Sequence, residues 1–182
     1  LEFVFFFPIV VLLYGLSPAR TRWAVLLVAS YVFYMGWKAE YALLIVASTV
    51  VDRFAARGIF RTDDRKKKRA WLAASLGVNL GLLFFFKYFD FFIVSGTGLL
   101  QSLGLEVEPR TLGLILPVGI SFFTFQTMSY TIDVHRRSLE AVREPLDFAL
   151  FVAFFPQLVA GPIVRASNFL PQLGLQRRYR DI

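Results

Sequence analysis

Residues 148–173 read FALFVAFFPQLVAGPIVRASNFLPQL, and this segment is apolar enough to lie in a lipid bilayer. It nevertheless contains Pro156, Gly161 and Pro162, where an uninterrupted spanning helix would carry residues of high helix propensity. Proline and glycine leave backbone groups without their helical hydrogen bonds. At membrane depth such groups are tolerated only where protein or a water-filled cavity satisfies them. The segment therefore predicts a broken helix that borders a cavity.

The composition of the chain indicates an integral membrane protein. Of 182 residues, 57% are hydrophobic and 17% are aromatic, and the mean hydropathy is +0.59. A soluble domain of this length has too little interior to bury so much apolar surface. The apolar runs lack the alternation of outer-membrane strands, so we expect an all-α, polytopic fold. The sequence contains no cysteine, which excludes disulfides, thiolate nucleophiles and cysteine-ligated metals within these residues.

Six apolar stretches follow one another along the chain. They are residues 3–16, 23–36, 41 to about 54, 71–94, 112–132 and 148–173. We expect about five spanning helices followed by the broken and possibly re-entrant sixth segment. The strongest charge block, residues 57–69, is expected to form the loop between the third and fourth helices. The chain starts inside an apolar run without Met, so both ends are expected to be cut.

The distribution of basic residues predicts the orientation in the membrane. The net charge is +7, and five crossings would place nearly all basic loops on one side. The positive-inside rule makes that side cytoplasmic and puts the N-terminus outside. The last basic residues, from Arg165 to Arg180, return to the cytoplasm if the sixth segment is re-entrant, which we favour over a full crossing. Nucleic-acid binding is not expected, because no basic face with interleaved aromatics lies outside the apolar runs.

Several polar residues interrupt the apolar runs. Lys87 and Asp90 share a helical face and are expected to pair with each other. Asp52 is expected at the membrane edge beside Arg53, with Asn79 inside the fourth run. Intramembrane ionisable groups are candidates for function, but we favour structural pairing here.

The fifth segment, LPVGISFFTFQTMSYTIDVHRR at residues 116–137, carries two polar faces. Gln126, Ser129 and Asp133 share one face, and a second face consists of Thr124, Thr127 and Thr131. Such a helix faces protein or a polar cavity, and interhelical hydrogen bonding is the simpler interpretation. His135 is the only histidine; we interpret it as a surface residue because it adjoins two arginines and lacks a partner of the triad type.

The order of the motifs resembles the membrane-bound O-acyltransferase family, in its bacterial alginate O-acetyltransferase branch. The motifs are FFFPIVVLLYGLSP, SYVFYMGW, FFKYFDFF, the fifth segment and DFALFVAFFPQLVAGPIVRASNFLPQL. The resemblance implies that residues 1–182 are the N-terminal part of one acyltransferase domain in the bacterial inner membrane, with the C-terminal half missing. It implies that an acetyl or other acyl group is transferred from a cytoplasmic thioester, which is either acyl-CoA or an acyl carrier. The group passes through a tunnel to hydroxyls of an exported polysaccharide such as alginate.

The same resemblance assigns scaffold residues but no catalytic residue or metal ligand. The family's hallmark histidine is expected downstream, and His135 stands where relatives usually have tyrosine in a similar motif. The implied scaffold or tunnel residues are Pro117, Gly119, Ser121, Phe122, Gln126, Asp133, Phe155, Pro156, Gln157, Gly161 and Pro162, of which Gln126 and Gln157 are expected to face the tunnel. No bound cofactor is implied, and the expected partners are the lipid bilayer, the polysaccharide and other export or modification proteins.

Two other functions remain open at this point. A multispan secondary transporter would also have broken helices, midplane polar residues and a basic cytoplasmic face. It should show internal repeats, and none is visible in the sequence. The second alternative is a non-enzymatic membrane subunit of a polysaccharide export system.

Overall fold

The computed structural model describes residues 2–36, 38–105, 107–108, 110–113, 116–160 and 164–178. Within these residues the chain forms eight helices and no strand, which confirms the all-α fold. The helices are α1 (Glu2–Leu16), α2 (Arg22–Met35), α3 (Ala39–Arg61), α4 (Arg65–Ser102), α5 (Ile120–His135), α6 (Pro145–Ala153), α7 (Phe155–Ala160) and α8 (Ala166–Arg178).

The basic block at residues 57–69 is not a loop, contrary to the prediction. α3 continues to Arg61 and α4 begins at Arg65, so only three residues connect them. Asp64 caps α4, because its carboxyl group accepts a hydrogen bond from the backbone N–H of Lys66 over 2.8 Å. Lysine and arginine have good helix propensity, so with this cap the charged residues extend the two helices.

The fifth helix begins later than predicted. Its first residue is Ile120, and Gly119 at the N-cap position has a left-handed backbone with φ of 73°. This conformation favours glycine, and Pro117 precedes it. The apolar run predicted that the helix includes Leu112 to Gly119. Where the structure describes these residues, they are non-helical and lead into α5.

The predicted break in the sixth segment is confirmed. α6 ends at Ala153, and Phe154, with φ of −55° and ψ of 103°, separates it from α7. Pro156 follows in the first turn of α7, where the missing N–H of proline is tolerated. Gly161 and Pro162 lie outside the described residues, and the re-entrant path stays a prediction.

One described helix, α4, is long and apolar enough to cross a bilayer by length and composition. Three further apolar helical stretches are shorter: Phe3–Leu16, Arg22–Met35 and Pro145–Leu158. The count of about five spanning helices therefore stays a prediction.

The core lies where α3, α4 and α5 pack against one another and against α6. Its largest fully buried apolar side chains include Phe123, Tyr130, Phe148 and Phe151. A second cluster forms where α1 and α2 meet the start of α7, with Phe155 completely buried among aromatic rings. The break between α6 and α7 is thus enclosed by other helices of the same chain.

Candidate functional site

A buried polar cluster joins three helices, and Asp52 lies at its centre with no exposed surface. From α4, Ser75 Oγ donates to Asp52 Oδ1, and Asn79 Nδ2 lies 2.9 and 2.8 Å from the two carboxyl oxygens. Ser48 Oγ donates to Asn79 Oδ1 over 2.7 Å. From α5, Thr127 Oγ1 lies 3.2 Å from the same oxygen of Asn79. Polar contacts therefore reinforce the apolar packing of α3, α4 and α5.

The predicted surroundings of Asp52 are wrong. Successive residues of a helix point about 100° apart, so Arg53 points away from the buried face that carries Asp52. Arg53 Nη2 instead donates to the carbonyl oxygen of Arg143 over 3.1 Å, as does Arg57 Nη2 over 2.9 Å. The partners of Asp52 are neutral donors, and its structural role stays a prediction.

The predicted pair between Lys87 and Asp90 is also wrong. Asp90 accepts hydrogen bonds from the backbone N–H groups of Leu112 and Gly113, at 2.8 and 3.0 Å. The Lys87 ammonium lies over the ring of Tyr88, 5.4 Å from its centroid. Asp90 therefore holds the chain that leads towards α5, because free N–H groups outside a helix attract its carboxylate.

The threonine face of α5 is buried, as the sequence predicted. Thr124, Thr127 and Thr131 are all fully buried, whereas Ser129 and Asp133 on the other polar face are only half-buried. Thr127 reaches Asn79 of α4, which is the expected interhelical hydrogen bond. The threonine face therefore contributes to helix packing.

The break between α6 and α7 is satisfied by side chains of two other helices. Gln126 Nε2 on α5 donates to the carbonyl oxygen of Phe151 over 2.6 Å. The backbone N–H of Phe155 donates to Ser30 Oγ on α2 over 3.3 Å. These two backbone groups would bond each other in an unbroken helix. Side chains of the protein thus satisfy these two backbone groups at the break, as residues 148–173 predicted. The amide nitrogen of Gln126 makes a hydrogen bond between helices.

Gln157 has a buried and unpartnered amide group. The residue is 5% exposed, and among the described residues neither Nε2 nor Oε1 has a hydrogen-bond partner. An unmatched buried polar group costs about 1–3 kcal/mol, so its presence in a folded core calls for an explanation. A ligand that supplies the missing acceptor and donor is one explanation, and the expected position of Gln157 at a tunnel stays a prediction.

The two sequence motifs meet in space at Gly119 and Leu158. A Cβ atom on Gly119 would lie 3.2 Å from the carbonyl oxygen of Leu158, so only glycine permits this approach without adjustment. The other motif residues that the structure describes differ in burial. Pro117 and Phe155 are buried, Ser121, Asp133 and Pro156 are half-buried, and Phe122 is exposed.

The molecule also has a basic end, where α3 ends, α4 begins and α5 ends. His135 lies there and lines a cavity of about 410 Å³ together with Asp63, Arg65, Lys68 and Arg69. His135 is half-buried, and its interpretation as a surface residue without a catalytic role stays a prediction. Within the described ranges, no three side chains of the His, Cys, Asp or Glu type come together as metal ligands.

Comparison with known proteins finds similarity to bacterial polysaccharide acetylases. The chain is 42% identical over 172 residues to a probable alginate O-acetylase AlgI of Azotobacter vinelandii, covering 92% of this chain and 34% of that protein. It is 40% identical to the corresponding protein of Pseudomonas aeruginosa, covering 92% and 32%. A peptidoglycan O-acetyltransferase of Helicobacter pylori is 39% identical, covering 87% and 34%.

The chain thus spans about a third of the length of these curated relatives. No protein-family model matches it, and no solved structure does.

Proposed function

We propose that this chain belongs to the membrane-bound O-acyltransferase family and that the full-length protein is an O-acyltransferase acting on a polysaccharide. The observation that carries the proposal is the identity of about 40% to proteins named alginate O-acetylase and peptidoglycan O-acetyltransferase over roughly nine tenths of the chain. Both names describe acetyl transfer to a glycan. We therefore take acetyl as the transferred group and an exported glycan such as alginate as the acceptor.

The protein would work in the bacterial inner membrane. Large apolar side chains are exposed along α1 and α4, among them Phe5, Leu12, Phe91 and Val94, and a bilayer would cover such surface. α4 has 38 residues and is about 57 Å long, well beyond the roughly 30 Å of a hydrocarbon core. Its first turn, with Lys66 and its basic neighbours, would therefore project into the cytoplasm.

The reaction needs a base, a thioester and a place where its carbonyl oxygen is stabilised. The hydroxyl oxygen of the glycan attacks the thioester carbonyl carbon, the C–S bond breaks, and the hydroxyl proton ends on the released thiol. The family resemblance puts the base outside these 182 residues. This chain would supply walls that exclude water, and hydrogen-bond donors at the developing oxyanion.

Gln157 is the residue of this chain that best fits contact with substrate. Its amide nitrogen can donate to a carbonyl oxygen and its amide oxygen can accept from a hydroxyl, and both are unpartnered among the described residues. At the adjoining break, Gln126 holds the end of α6 through the carbonyl oxygen of Phe151, and Ser30 holds the start of α7 through the N–H of Phe155. An anchored polar group needs little reorganisation when substrate arrives.

The test uses the full-length protein in lipid nanodiscs, a radiolabelled acetyl thioester and purified alginate or peptidoglycan. Gln157→Leu should lower kcat by about tenfold or more, a loss of roughly 1.4 kcal/mol of transition-state stabilisation. Its unfolding temperature should stay equal or rise, because leucine removes an unsatisfied amide. Gln172→Leu is the matched control, since Gln172 is exposed and, among the described residues, bonds to Asn168 of its own helix, α8.

Two outcomes separate the parts of the proposal. Undiminished kcat in Gln157→Leu would remove Gln157 from the site and leave the transferase assignment intact. Failure of the wild-type protein to label either glycan from acetyl thioesters would contradict the transferase assignment itself.

A further inference from the structure

A groove with an apolar lining lies between α1 and α2. It has a volume of about 440 Å³, and nine of its ten lining residues have apolar side chains. On α1 these are Phe6, Ile9, Val10 and Leu13, and on α2 they are Ala24, Val25, Val28, Ala29 and Val32. Spacings of three and four residues place each set on one helical face. From Ala24 to Val32 the groove follows α2 for about 12 Å.

The floor of this groove is buried and its rim is exposed. The floor residues Val10 and Ala29 are 3% and 9% exposed. Four rim residues are 50–61% exposed within the described part of the chain: Ile9, Leu13, Val28 and Val32. Valine has a restricted χ1 angle, so the rim keeps its shape. In a bilayer the open side of the groove faces lipid, and an acyl chain can enter it.

Two arginines stand at one end of the groove. Arg20 and Arg22 flank Thr21, the tenth lining residue, where the chain turns from α1 into α2. Arg22 Nε donates to the carbonyl oxygen of Ser17 over 3.1 Å, and its guanidinium lies 5.2 Å from the centroid of the Tyr14 ring. These contacts hold the guanidinium beside the turn and leave its Nη groups for another acceptor.

The two arginines have no anionic partner in the hairpin of α1 and α2. Residues 3–39 contain neither aspartate nor glutamate. Within the described residues, neither Arg20 nor Arg22 takes part in an ion pair. An apolar groove that ends at two such cations suits a ligand with an apolar chain and an anionic group.

We infer that the groove binds one anionic phospholipid, with an acyl chain along α1 and α2 and its phosphate at Arg20 and Arg22. The distribution of basic residues puts this turn on the cytoplasmic side, where the leaflet carries anionic lipids. A guanidinium binds phosphate oxygens through paired N–H donors. A helix from the rest of the protein would have to bring its own carboxylate to the turn, whereas a phospholipid supplies both the apolar chain and the anion.

A lipid in this groove would also support the break between α6 and α7. Phe6 lines the groove, and its ring packs edge-on against Phe155, with the ring centroids 5.3 Å apart. Phe155 is the first residue of α7 and donates its N–H to Ser30 of α2. The lipid would therefore stabilise the contact of α1 with α2 against which Phe155 packs.

The binding test uses the full-length protein, purified in detergent and delipidated, and native mass spectrometry with phosphatidylglycerol and phosphatidylcholine of the same acyl chains. Wild type should bind the first phosphatidylglycerol about tenfold more tightly than the first phosphatidylcholine. The double variant Arg20→Gln/Arg22→Gln should bind the two lipids equally, because amides carry no charge. Lys38→Gln, beyond the other end of α2, is the matched control and should keep the preference of the wild type.

Filling the groove tests the position of the acyl chain. Ala24→Phe puts a ring into the space that the chain would occupy, so both lipids should bind several-fold more weakly. Ala47→Phe is the control, because Ala47 is an exposed alanine of α3 that does not line the groove. If Ala24→Phe does not fold, the exposed Arg20 decides the test: Arg20→Gln should weaken phosphatidylglycerol binding about threefold and leave phosphatidylcholine binding unchanged.

Equal affinity of the wild type for the two lipids would overturn the inference, as would unchanged phosphatidylglycerol binding in Ala24→Phe or in Arg20→Gln. A helix of the remaining chain as the occupant predicts a different pattern. Wild type would then show no preference for phosphatidylglycerol, and Ala24→Phe would lower the unfolding temperature by several degrees more than Ala47→Phe. That result would assign the groove to protein. None of these measurements depends on acyl transfer, so their outcome is independent of the proposed function.

Discussion

Replacing Asp52 with alanine should loosen the packing of α3 against α4 and α5. The substitution removes the acceptor of Ser75 Oγ and of Asn79 Nδ2, and the weaker 3.3 Å contact of Ser48. Asn79 Nδ2 keeps the carbonyl oxygen of Ser75 at 3.0 Å, and Ser48 keeps Asn79 Oδ1, so the hydroxyl of Ser75 loses most. Leaving a buried donor without its acceptor costs about 1–3 kcal/mol. Because the other bonds are retained, we expect a loss within this range.

The measurement is equilibrium unfolding of the full-length protein in mixed micelles, monitored by far-ultraviolet circular dichroism. Asp52→Asn keeps one carbonyl oxygen as acceptor and should lose about half as much free energy of unfolding as Asp52→Ala. Asp133→Ala is the matched control, because Asp133 is half-buried and none of the described residues donates to its carboxylate. A loss below about 0.5 kcal/mol in Asp52→Ala, equal to that of the control, would refute the reasoning that the cluster stabilises the core.

Two further substitutions test the packing of the same helices. Gly58→Ala would place a Cβ atom 2.5 Å from Trp71 Cε2, so the indole must move. We expect a shift in tryptophan fluorescence and a free energy of unfolding lower by about 1–3 kcal/mol. Gly77→Ala has open space around it and should leave the free energy of unfolding undiminished. Gln126→Leu leaves the carbonyl oxygen of Phe151 without its donor and should lower the free energy of unfolding by about 1–3 kcal/mol; an unchanged unfolding curve would show that another group satisfies this carbonyl.

The sequence predicted the helices where apolar pattern and turn residues agree. Residues 3–16 and 23–36 match α1 and α2 to within a residue or so, because charged or turn residues bound both runs. The limits of α3 and α4 were wrong, since charge was taken as the end of a helix although lysine and arginine continue a helix well. Apolar runs predict which residues can be buried in lipid or core, and caps such as Asp64 decide where helices begin.

The buried cluster could have been found only in part. Ser48 and Asp52 are four residues apart on α3, as are Ser75 and Asn79 on α4, and this spacing places each pair on one helical face. Two such polar faces in apolar helices indicate that the faces meet. Their pairing with Thr127, and the absence of Arg53 from the cluster, depend on how the helices pack, which a single sequence does not reveal.

The break between α6 and α7 is built into the chain and does not depend on its partners alone. Pro156 has no N–H with which to continue α6, so losing the contacts of Ser30 or Gln126 would leave groups unsatisfied without restoring a continuous helix. Those two contacts come from α2 and α5, on different sides of the break. Gln157 directly follows the proline in the first turn of α7, yet its amide bonds to none of the described residues. The backbone groups of Phe151 and Phe155 at the break are satisfied, and an adjacent buried amide that no described residue satisfies is the arrangement expected of a group that binds substrate.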